Sequence, residues 1–168
     1  MAILKVLQLD QTWVGLRTAT VADVPEIVAL LAADQLGATR DGIDSAADLD
    51  RYERAFRDID SDPAHLLVVA EADDKIVGTM QLSFLPGLAR RGALRAQIEA
   101  VRVADDYRGR GLGAQMFGWA IEEASRRGCA LVQLTSDKSR TAAHRFYQRL
   151  GFEASHDGLK LKLAGLGG

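Results

Sequence analysis

The chain has 168 residues, of which 48% are hydrophobic and 26% are charged, and its formal net charge is −2. These values suit a soluble globular domain; they exclude a membrane-spanning protein, because no apolar run approaches roughly 20 residues, and they give no general attraction to nucleic acid or anionic membranes. A single cysteine, Cys129, excludes an internal disulfide and fits a cytoplasmic location. Residues 1–168 are therefore predicted to form one domain.

The first third of the chain is predicted to hold one strand and two helices. Residues 1–9 are apolar but lack the pattern of a secretory leader, and residues 14–18 are short and β-like. A helix over residues 23–37 begins with a proline in its first turn and ends at a glycine. A second helix over residues 45–60 begins at a serine followed three residues later by Asp48, which resembles a capping box.

The rest of the chain is predicted to alternate between strands and helices. The predicted strands are residues 66–70, 76–84, 94–103, 129–135, 152–155 and 159–163, and the predicted helices are residues 114–127 and 141–150. The resulting order, β-α-α-β-β-β-α-β-α-β-β, indicates a mixed α/β fold. A meander of three strands precedes a single β-α-β crossover.

The turn inside that crossover is rich in glycine and arginine. Residues 107–114 read YRGRGLGA and connect an apolar strand to an amphipathic helix. The glycines are Gly109, Gly111 and Gly113, and the arginines are Arg108 and Arg110. Free N–H groups at a helix start, glycines without a Cβ atom, and guanidinium donors all suit a bound phosphate. The alternative is a glycine-rich turn capped by solvated arginines.

Two blocks of the sequence resemble a known enzyme family. Arg108-x-x-Gly111-x-Gly113 matches the acetyl-CoA pyrophosphate signature of the GNAT superfamily of N-acetyltransferases. Residues 143–152, AHRFYQRLGF, resemble the family segment A-x-x-F-Y-x-x-x-G-F. A helix and a strand separate the two blocks, as the family requires, and the similarity extends over a core of about residues 14–163.

The resemblance implies a fold and an activity. The fold would be a central, mostly antiparallel sheet of about seven strands flanked by about four helices. The activity would be direct transfer of an acetyl group from acetyl-CoA to a primary amine of a small molecule, without a metal, nucleic acid or membrane. The alternatives are acetylation of a protein N-terminus or lysine, and a non-catalytic acyl-CoA-binding regulatory domain. A homodimer is also expected, with the C-terminal strands as its interface.

The resemblance also assigns residues to acetyl-CoA. The diphosphate would be held by backbone N–H groups, with Arg108 and Arg110 as auxiliary donors. The backbone groups belong to Gly109, Arg110, Gly111, Leu112, Gly113 and Ala114. The pantetheine arm would lie along the preceding strand, against backbone groups of Val101, Arg102 and Val103, and an N–H near Val101 would polarise the thioester carbonyl.

One position departs from the family pattern. Arg140 stands three residues before the second block, where many family members carry asparagine. A contact to the cofactor there would differ, for example by pairing with a phosphate of CoA.

Two residues are candidates for catalysis. Glu99 is the only carboxylate in residues 94–103, and simple strand alternation places it on one face with Val101 and Val103 as a general base for the amine. The alternative is a solvent-facing strand glutamate, and a strand bulge would reverse the face. Tyr147 matches the family tyrosine that protonates the CoA thiolate, although its apolar helical stripe also suits a core residue.

The acceptor site is less defined by the sequence. The resemblance implies that the two predicted helices between residues 23 and 60, together with the loop of residues 85–91, would wall it. Acceptor pockets vary by loop within one fold, so the identity of the amine stays open.

Overall fold

The computed structural model describes residues 3–33, 37–161 and 163. It contains six strands: β1 (Ile3–Leu9), β2 (Thr12–Thr18), β3 (His65–Ala72), β4 (Lys75–Leu85), β5 (Arg95–Val103) and β6 (Leu131–Leu134). Its helices are α1 (Val24–Ala32), α2 (Ala46–Ser61), the short turn α3 (Ala89–Gly92), α4 (Leu112–Arg126) and α5 (Thr141–Arg149). None of the helices described is both long and apolar enough to cross a membrane.

The strands form one sheet in their sequence order, from β1 to β6. Neighbouring strands are antiparallel except β5 and β6, which are parallel and are connected through α4. This arrangement confirms the mixed α/β fold, the meander over β3, β4 and β5, and the single crossover. The crossover helix α4 covers one face of the sheet. The glycine-rich loop connects the C-terminal end of β5 to the start of this helix.

Each face of the sheet has its own hydrophobic core. On the face covered by α4 and α5, here called the α4 face, Phe117 and Met116 pack against buried strand residues such as Leu82. On the other face, here called the α1 face, a smaller core joins α1 and α2 to the sheet, with Ile27 and Phe56 among its members. Alternate strand residues supply the two cores, as the period of a strand dictates.

The N-terminal strand is a correction to the sequence analysis, which assigned no element to residues 1–9. Leu7 and Leu9 are buried on the α4 face, and β1 pairs with β2 in a hairpin that turns at Asp10, whose φ is 51°. The apolar run is therefore an edge strand, and Val6, which precedes Leu7 and points to the opposite face, stays exposed.

The C-terminal pair of strands is a second correction. Residues 152–155 and the described residues of 159–163 form no strand, and Lys162 lies outside the described residues. Leu159 is 93% exposed and Leu161 is 87% exposed, so their alternation with lysine buries no face against this chain. The sheet consequently has six strands among the described residues rather than about seven.

Most other boundaries lie within a few residues of the prediction. The serine cap of α2 is confirmed, because Ser45 Oγ accepts a hydrogen bond from the backbone N–H of Asp48 at 3.2 Å. The first helix ends at Ala32, before the predicted residue 37, and residues 34–36 lie outside the described residues. Helix α4 begins at Leu112, so Gly111 is its N-cap residue and Gly113 lies inside the helix.

A buried ion network fastens α1 to the sheet. The Arg17 guanidinium on β2 binds both carboxylate oxygens of Asp23 at 2.7 and 2.8 Å and reaches Glu71 on β3 at 2.6 Å. Burial raises the pKa of Asp23, but hydrogen bonds from Arg17 and Thr20 outweigh it and hold that pKa below its usual value. Asp23 immediately precedes α1, so the network sets where that helix leaves the sheet.

Removing Asp23 should therefore destabilise the fold. We expect Asp23→Ala to lower the free energy of unfolding by about 3 kcal/mol, because it leaves Arg17 buried with half of its partners. Asp50→Ala removes an exposed pair with Arg54 on α2 and should cost less than about 1 kcal/mol. Urea unfolding measures both, and equal losses would contradict the structural role of the network.

The same network predicts a pH dependence. A carboxylate with a lowered pKa in the folded state stabilises above its unfolded pKa of about 4 and loses that contribution as pH falls further. The stability difference between the wild type and Asp23→Asn should therefore shrink below about pH 4. A difference that is constant from pH 7 to pH 3 would show that Asp23 does not titrate with folding.

Candidate active site

The loop between β5 and α4 is held by two glycines in the left-handed region. After a 3₁₀ turn at Asp105–Tyr107, Gly109 has φ 73° and Gly111 has φ 87°. No described heavy atom lies within 4 Å of a Cβ built at either position. The backbone angle, rather than crowding by the protein, therefore calls for glycine at both residues.

The start of α4 leaves backbone donors available to a ligand. Gly111 caps the helix without any side-chain hydrogen bond, and the first helical bond runs from Gln115 N to Gly111 O at 3.1 Å. The N–H groups of Leu112, Gly113 and Ala114 precede that bond and point out of the helix start. With the positive end of the helix dipole, they make a site suited to a phosphate group.

Both arginines of the loop contact the protein itself. Arg108 forms an ion pair with Asp105 at 2.8 Å. Arg110 donates to Thr12 Oγ1 at 3.1 Å, and its guanidinium lies 4.9 Å from the centre of the Tyr107 ring. Arg110 therefore links the loop to the β1–β2 hairpin, whereas Arg108 pairs within its own segment.

The strands that lead to this loop separate. The parallel register of β5 and β6 ends at the pair Ile98 and Leu134, whereas β5 continues to Val103. Strand β6 has only four residues, so it does not follow β5 to the loop. The separation opens the sheet beside Val101 and Val103, where an extended chain could hydrogen-bond to β5 as an added strand does.

A bulge interrupts β5 at this point, and the simple alternation expected for Glu99 is wrong. Glu99 lies opposite Gln81 and Arg102 lies opposite Thr79, so two residues of β5 face one residue of β4 between these pairs. Ala100 has φ 53°, the left-handed conformation of a bulged residue. The extra residue reverses the faces of the strand beyond Glu99.

The bulge separates Glu99 from the valines that were expected to share its face. Val101 and Val103 pack against the core of the α4 face. Ile98 is also buried in that core, so Glu99 beside it points to the α1 face, where its side chain is exposed. The Glu99 side chain makes no hydrogen bond or ion pair with the residues that the structure describes.

Tyr147 combines a partly buried ring with a hydroxyl that has no described hydrogen-bond partner. Its ring makes edge contacts with Phe117, Phe146 and Phe152 at centroid distances of 5.4, 5.5 and 6.1 Å. Among the described residues its hydroxyl forms no hydrogen bond. Both interpretations of the apolar stripe therefore have a structural counterpart: the ring belongs to the core, and the hydroxyl extends beyond it.

Two arginines act electrostatically on Tyr147. Burial raises the pKa of the Tyr147 hydroxyl, and the positive charges of Arg140 and Arg102 reduce that rise. The net effect is a raised pKa, so the hydroxyl keeps its proton at neutral pH. Tyr147 belongs to α5, Arg140 is the N-cap residue of the same helix, and Arg102 lies on β5.

The connection from α1 to α2 approaches the same end of the sheet. The Tyr52 hydroxyl of α2 donates to Asp41 at 3.2 Å and fixes this connection. Hydrogen bonds from Ser139 and, more weakly, the charge of Arg40 lower the pKa of Asp137. The positive charge of Arg40, in the α1–α2 connection, therefore acts on Asp137 in the segment that follows β6.

The sequence analysis missed a polar row across the α1 face. Ser83 lies opposite His65 and Gln97, and Gln97 lies opposite Gln133. His65 Nδ1 is 2.8 Å from Ser83 Oγ, and Gln133 Nε2 donates to Gln97 Oε1 at 2.7 Å. Polar residues at every second position of β5 were the available signal.

Within residues 3–33, 37–161 and 163, no group of three acidic, histidine or cysteine side chains could hold a metal ion.

Comparison with known proteins decides the family. The model of the acetyltransferase (GNAT) family matches residues 30–152, which include the loop, the separated strands and α5. The chain belongs to the GNAT family. It is therefore an acetyltransferase, and the cosubstrate of its family is acetyl-CoA. The family expected from the resemblance and its mixed α/β fold are confirmed together.

Several relatives align with most of this GNAT chain. It is 28% identical to the aminoalkylphosphonate N-acetyltransferase of Salmonella typhimurium, over 84% of this chain and 86% of that one. It is also 28% identical to the L-methionine sulfoximine/L-methionine sulfone acetyltransferase of Pseudomonas aeruginosa, over 84% and 81% of the two chains. Among solved structures, a transcriptional regulator from Bacillus halodurans C-125 has 45% identity and a TM-score of 0.85, over 89% of this chain and 99% of that one.

The loop can be tested with two matched glycines of α4. Gly111 and Gly128 stand at opposite ends of the helix with φ of 87° and 78°, and neither has a described atom within 4 Å of a built Cβ. A glutamate at either position should cost about 1–2 kcal/mol of stability through the left-handed backbone. We expect only Gly111→Glu to weaken acetyl-CoA binding, by at least tenfold, because its carboxylate would stand at the helix start.

Calorimetric titration with acetyl-CoA measures this difference, and thermal unfolding verifies that the two variants are equally stable. Equal loss of affinity in Gly111→Glu and Gly128→Glu would assign the effect to the fold rather than to the loop.

Proposed function

We propose that this GNAT protein transfers an acetyl group from acetyl-CoA to the primary amine of a small molecule. The observation that carries the proposal is the separation of β5 from β6 directly before a left-handed glycine loop at the start of α4. Separated strands offer a place for an extended pantetheine arm, and the helix start offers donors for a diphosphate. The separated strands and the helix start follow one another along the chain, just as the pantetheine arm and the diphosphate follow one another in CoA.

The residues present fit this cosubstrate. The N–H groups of Leu112, Gly113 and Ala114 would bind the diphosphate, and the turn at Gly109 and Gly111 would let it approach the backbone. Backbone groups of β5 from Val101 through Arg102 to Val103 would align the pantetheine arm. Bound acetyl-CoA supplies an activated acetyl thioester. Arg140, at the start of α5, would pair with a phosphate of CoA.

Glu99 is proposed as the base that accepts the amine proton. The bulge turns Glu99 to the α1 face, whereas Val101 and Val103 point to the α4 face, so the acceptor would approach from the side of α1 and α2. An exposed carboxylate without a protein partner can take a proton directly or through a water molecule. The alternative is that Glu99 is a solvent-facing glutamate without a catalytic role. In that case, replacing Glu99 would not change the rate of acetyl transfer.

Tyr147 is proposed as the proton donor to the departing thiolate. Its raised pKa keeps the proton on the hydroxyl at neutral pH, which a donor requires. Its ring is fixed by three aromatic neighbours, and a fixed donor costs little reorganisation during the reaction.

The relatives support a small acceptor over a protein. The printed names of two of them describe acetylation of an aminoalkylphosphonate and of amino-acid derivatives. Acetylation of a protein N-terminus or lysine is the alternative acceptor class. A cytoplasmic homodimer completes the proposal, since a cytoplasm supplies acetyl-CoA and a single cysteine suits it.

The similarity to a transcriptional regulator favours a second candidate, an acyl-CoA-binding regulatory domain. The two candidates differ in turnover. Calorimetry should detect acetyl-CoA binding in either case, whereas release of free CoA in the presence of a panel of primary amines is expected only of the transferase. Binding without CoA release for any amine or protein acceptor would favour the regulatory candidate.

Replacing the tyrosine hydroxyl tests the donor. We expect Tyr147→Phe to lower kcat about tenfold to a hundredfold and to leave acetyl-CoA affinity nearly unchanged, because the ring packing is retained and only the proton is lost. Steady-state kinetics and calorimetry measure the two quantities. Unchanged turnover would assign Tyr147 to the core alone.

Replacing the carboxylate tests the base. We expect Glu99→Gln to lower the rate most at pH values where the free amine is protonated, and the ratio to wild type should approach one as pH rises above the amine pKa. Glu122→Gln on α4, which pairs with Lys5 far from the loop, is the control. A ratio for Glu99→Gln that stays constant with pH would remove Glu99 as the base.

A further inference from the structure

A small basic cavity lies at the start of β5, on the α1 face. Its volume is about 110 Å³, and it is lined by Gly87, Ala89, Arg90, Ala93 and Arg95. None of the described residues that line it is acidic. Arg95 is half-buried, and one of its terminal nitrogens lies 4.0 Å from a Cβ built at Gly87, so its guanidinium forms part of the wall.

The arginines of this cavity differ from most others in the chain. Ion pairs to carboxylates engage Arg17, Arg51, Arg54, Arg57, Arg108, Arg126 and Arg127. In the part of the chain that the structure describes, the side chains of Arg90, Arg91 and Arg95 form no hydrogen bond or ion pair. Three guanidinium groups within a short segment therefore keep their full capacity to bind an oxyanion in a forked, two-bond contact.

The backbone presents these arginines in an unusual way. Arg90 and Arg91 have φ of 55° and 61°, so two consecutive residues with bulky side chains occupy the left-handed region. Glycine or asparagine would adopt this turn more easily. Left-handed backbone at non-glycine residues concentrates at ligand sites, and here it accompanies a cavity and unpaired charge.

Strand β5 connects the cavity to the proposed base. Ile98 and Ala96 are buried on the α4 face, so Arg95, Gln97 and Glu99 point together to the α1 face. The stripe carries a positive charge at one end, an amide in the middle and a negative charge at the other. Four residues at about 3.3 Å each separate the Cα atoms of Arg95 and Glu99 by roughly 13 Å.

We infer that the amine acceptor of this protein is a zwitterion that lies along β5, with its oxyanion in the cavity at Arg90 and Arg95 and its amine at Glu99. The inference rests on the proposed acetyl transfer and names its substrate class. The charge order of the stripe is complementary to such a molecule. An α-amino acid is too short, because its charges are attached to one carbon atom. A tripeptide spans roughly 10 Å when extended, and the flexible arginine stem covers the remaining distance.

A matched pair of acceptors tests the anion contact. Triglycine and triglycinamide have the same amine and length but differ in the terminal carboxylate. We expect the KM of triglycine to be at least tenfold lower than that of triglycinamide, with a similar kcat, because the carboxylate adds a charge-assisted contact far from the reacting atoms. Glycine should be no better than glycinamide, because its carboxylate does not reach the cavity. An aminopentylphosphonate in place of triglycine distinguishes a phosphonate from a carboxylate requirement.

Variants identify the residues responsible. Arg95→Gln should raise the KM of triglycine at least tenfold without changing that of triglycinamide, and Arg95→Lys should restore part of the loss. Arg90→Gln should show the same selective effect. Because Arg90 is exposed, this variant provides the test even if the half-buried Arg95→Gln fails to fold. Arg149→Gln, at the exposed end of α5, is the control and should change neither KM.

The outcomes separate this inference from the proposed function. If triglycinamide and other primary amines release CoA, acetyl transfer holds, and equal KM values for triglycine and triglycinamide would overturn the zwitterion. If no amine releases CoA, calorimetric titration of triglycine into the CoA-loaded protein still decides the anion site. Binding that is lost in Arg95→Gln and Arg90→Gln supports the site, and absent or unchanged binding overturns it.

Discussion

The bulge at Ala100 is the constraint on which the rest of the site depends. One residue in the left-handed region shifts the register between β4 and β5 and reverses the faces of the strand. The valines beyond it belong to the α4 core, whereas Glu99 before it belongs to the α1 face. The strand therefore serves two surfaces within a few residues. Its backbone is unpaired by β6 where the cosubstrate is proposed to bind, and its polar stripe lies on the side proposed for the acceptor.

The separated strands and the glycine loop depend on each other through α4. The helix packs on the sheet through Leu112, Met116 and Phe117, which are almost completely buried, so its start is fixed relative to β5. Tyr147 packs on Phe117 and is fixed by the same helix. The proposed diphosphate donors and the proposed proton donor are thus positioned by one hydrophobic core, which is a rigid support for chemistry that needs accurate placement.

The sequence predicted the parts of the fold that have local causes. The left-handed backbone angles of the loop require Gly109 and Gly111, and the core positions of α4 recur at helical spacing. The glycine-rich turn and the helix after it were therefore predicted where the structure has them. The bulge had no such signal, because Ala100 is not a residue that favours a positive φ. The first strand, an edge strand with Val6 exposed, was missed, and the alternating leucines near the C-terminus indicated a strand that finds no partner among the described residues. Tertiary packing and strand pairing, rather than local sequence, decided each of these cases.

The two hydrophobic cores are packed independently on the two faces of the sheet. Contacts of α1 and α2 with the sheet form one core, and contacts of α4 and α5 form the other, with the sheet as a partition between them. Substitutions on the α1 face, where the acceptor is proposed to bind, should therefore leave the packing of the α4 face intact. Such a partition would let a lineage exchange one amine for another by small steps, each tolerated by the fold, while the proposed cosubstrate site stays the same.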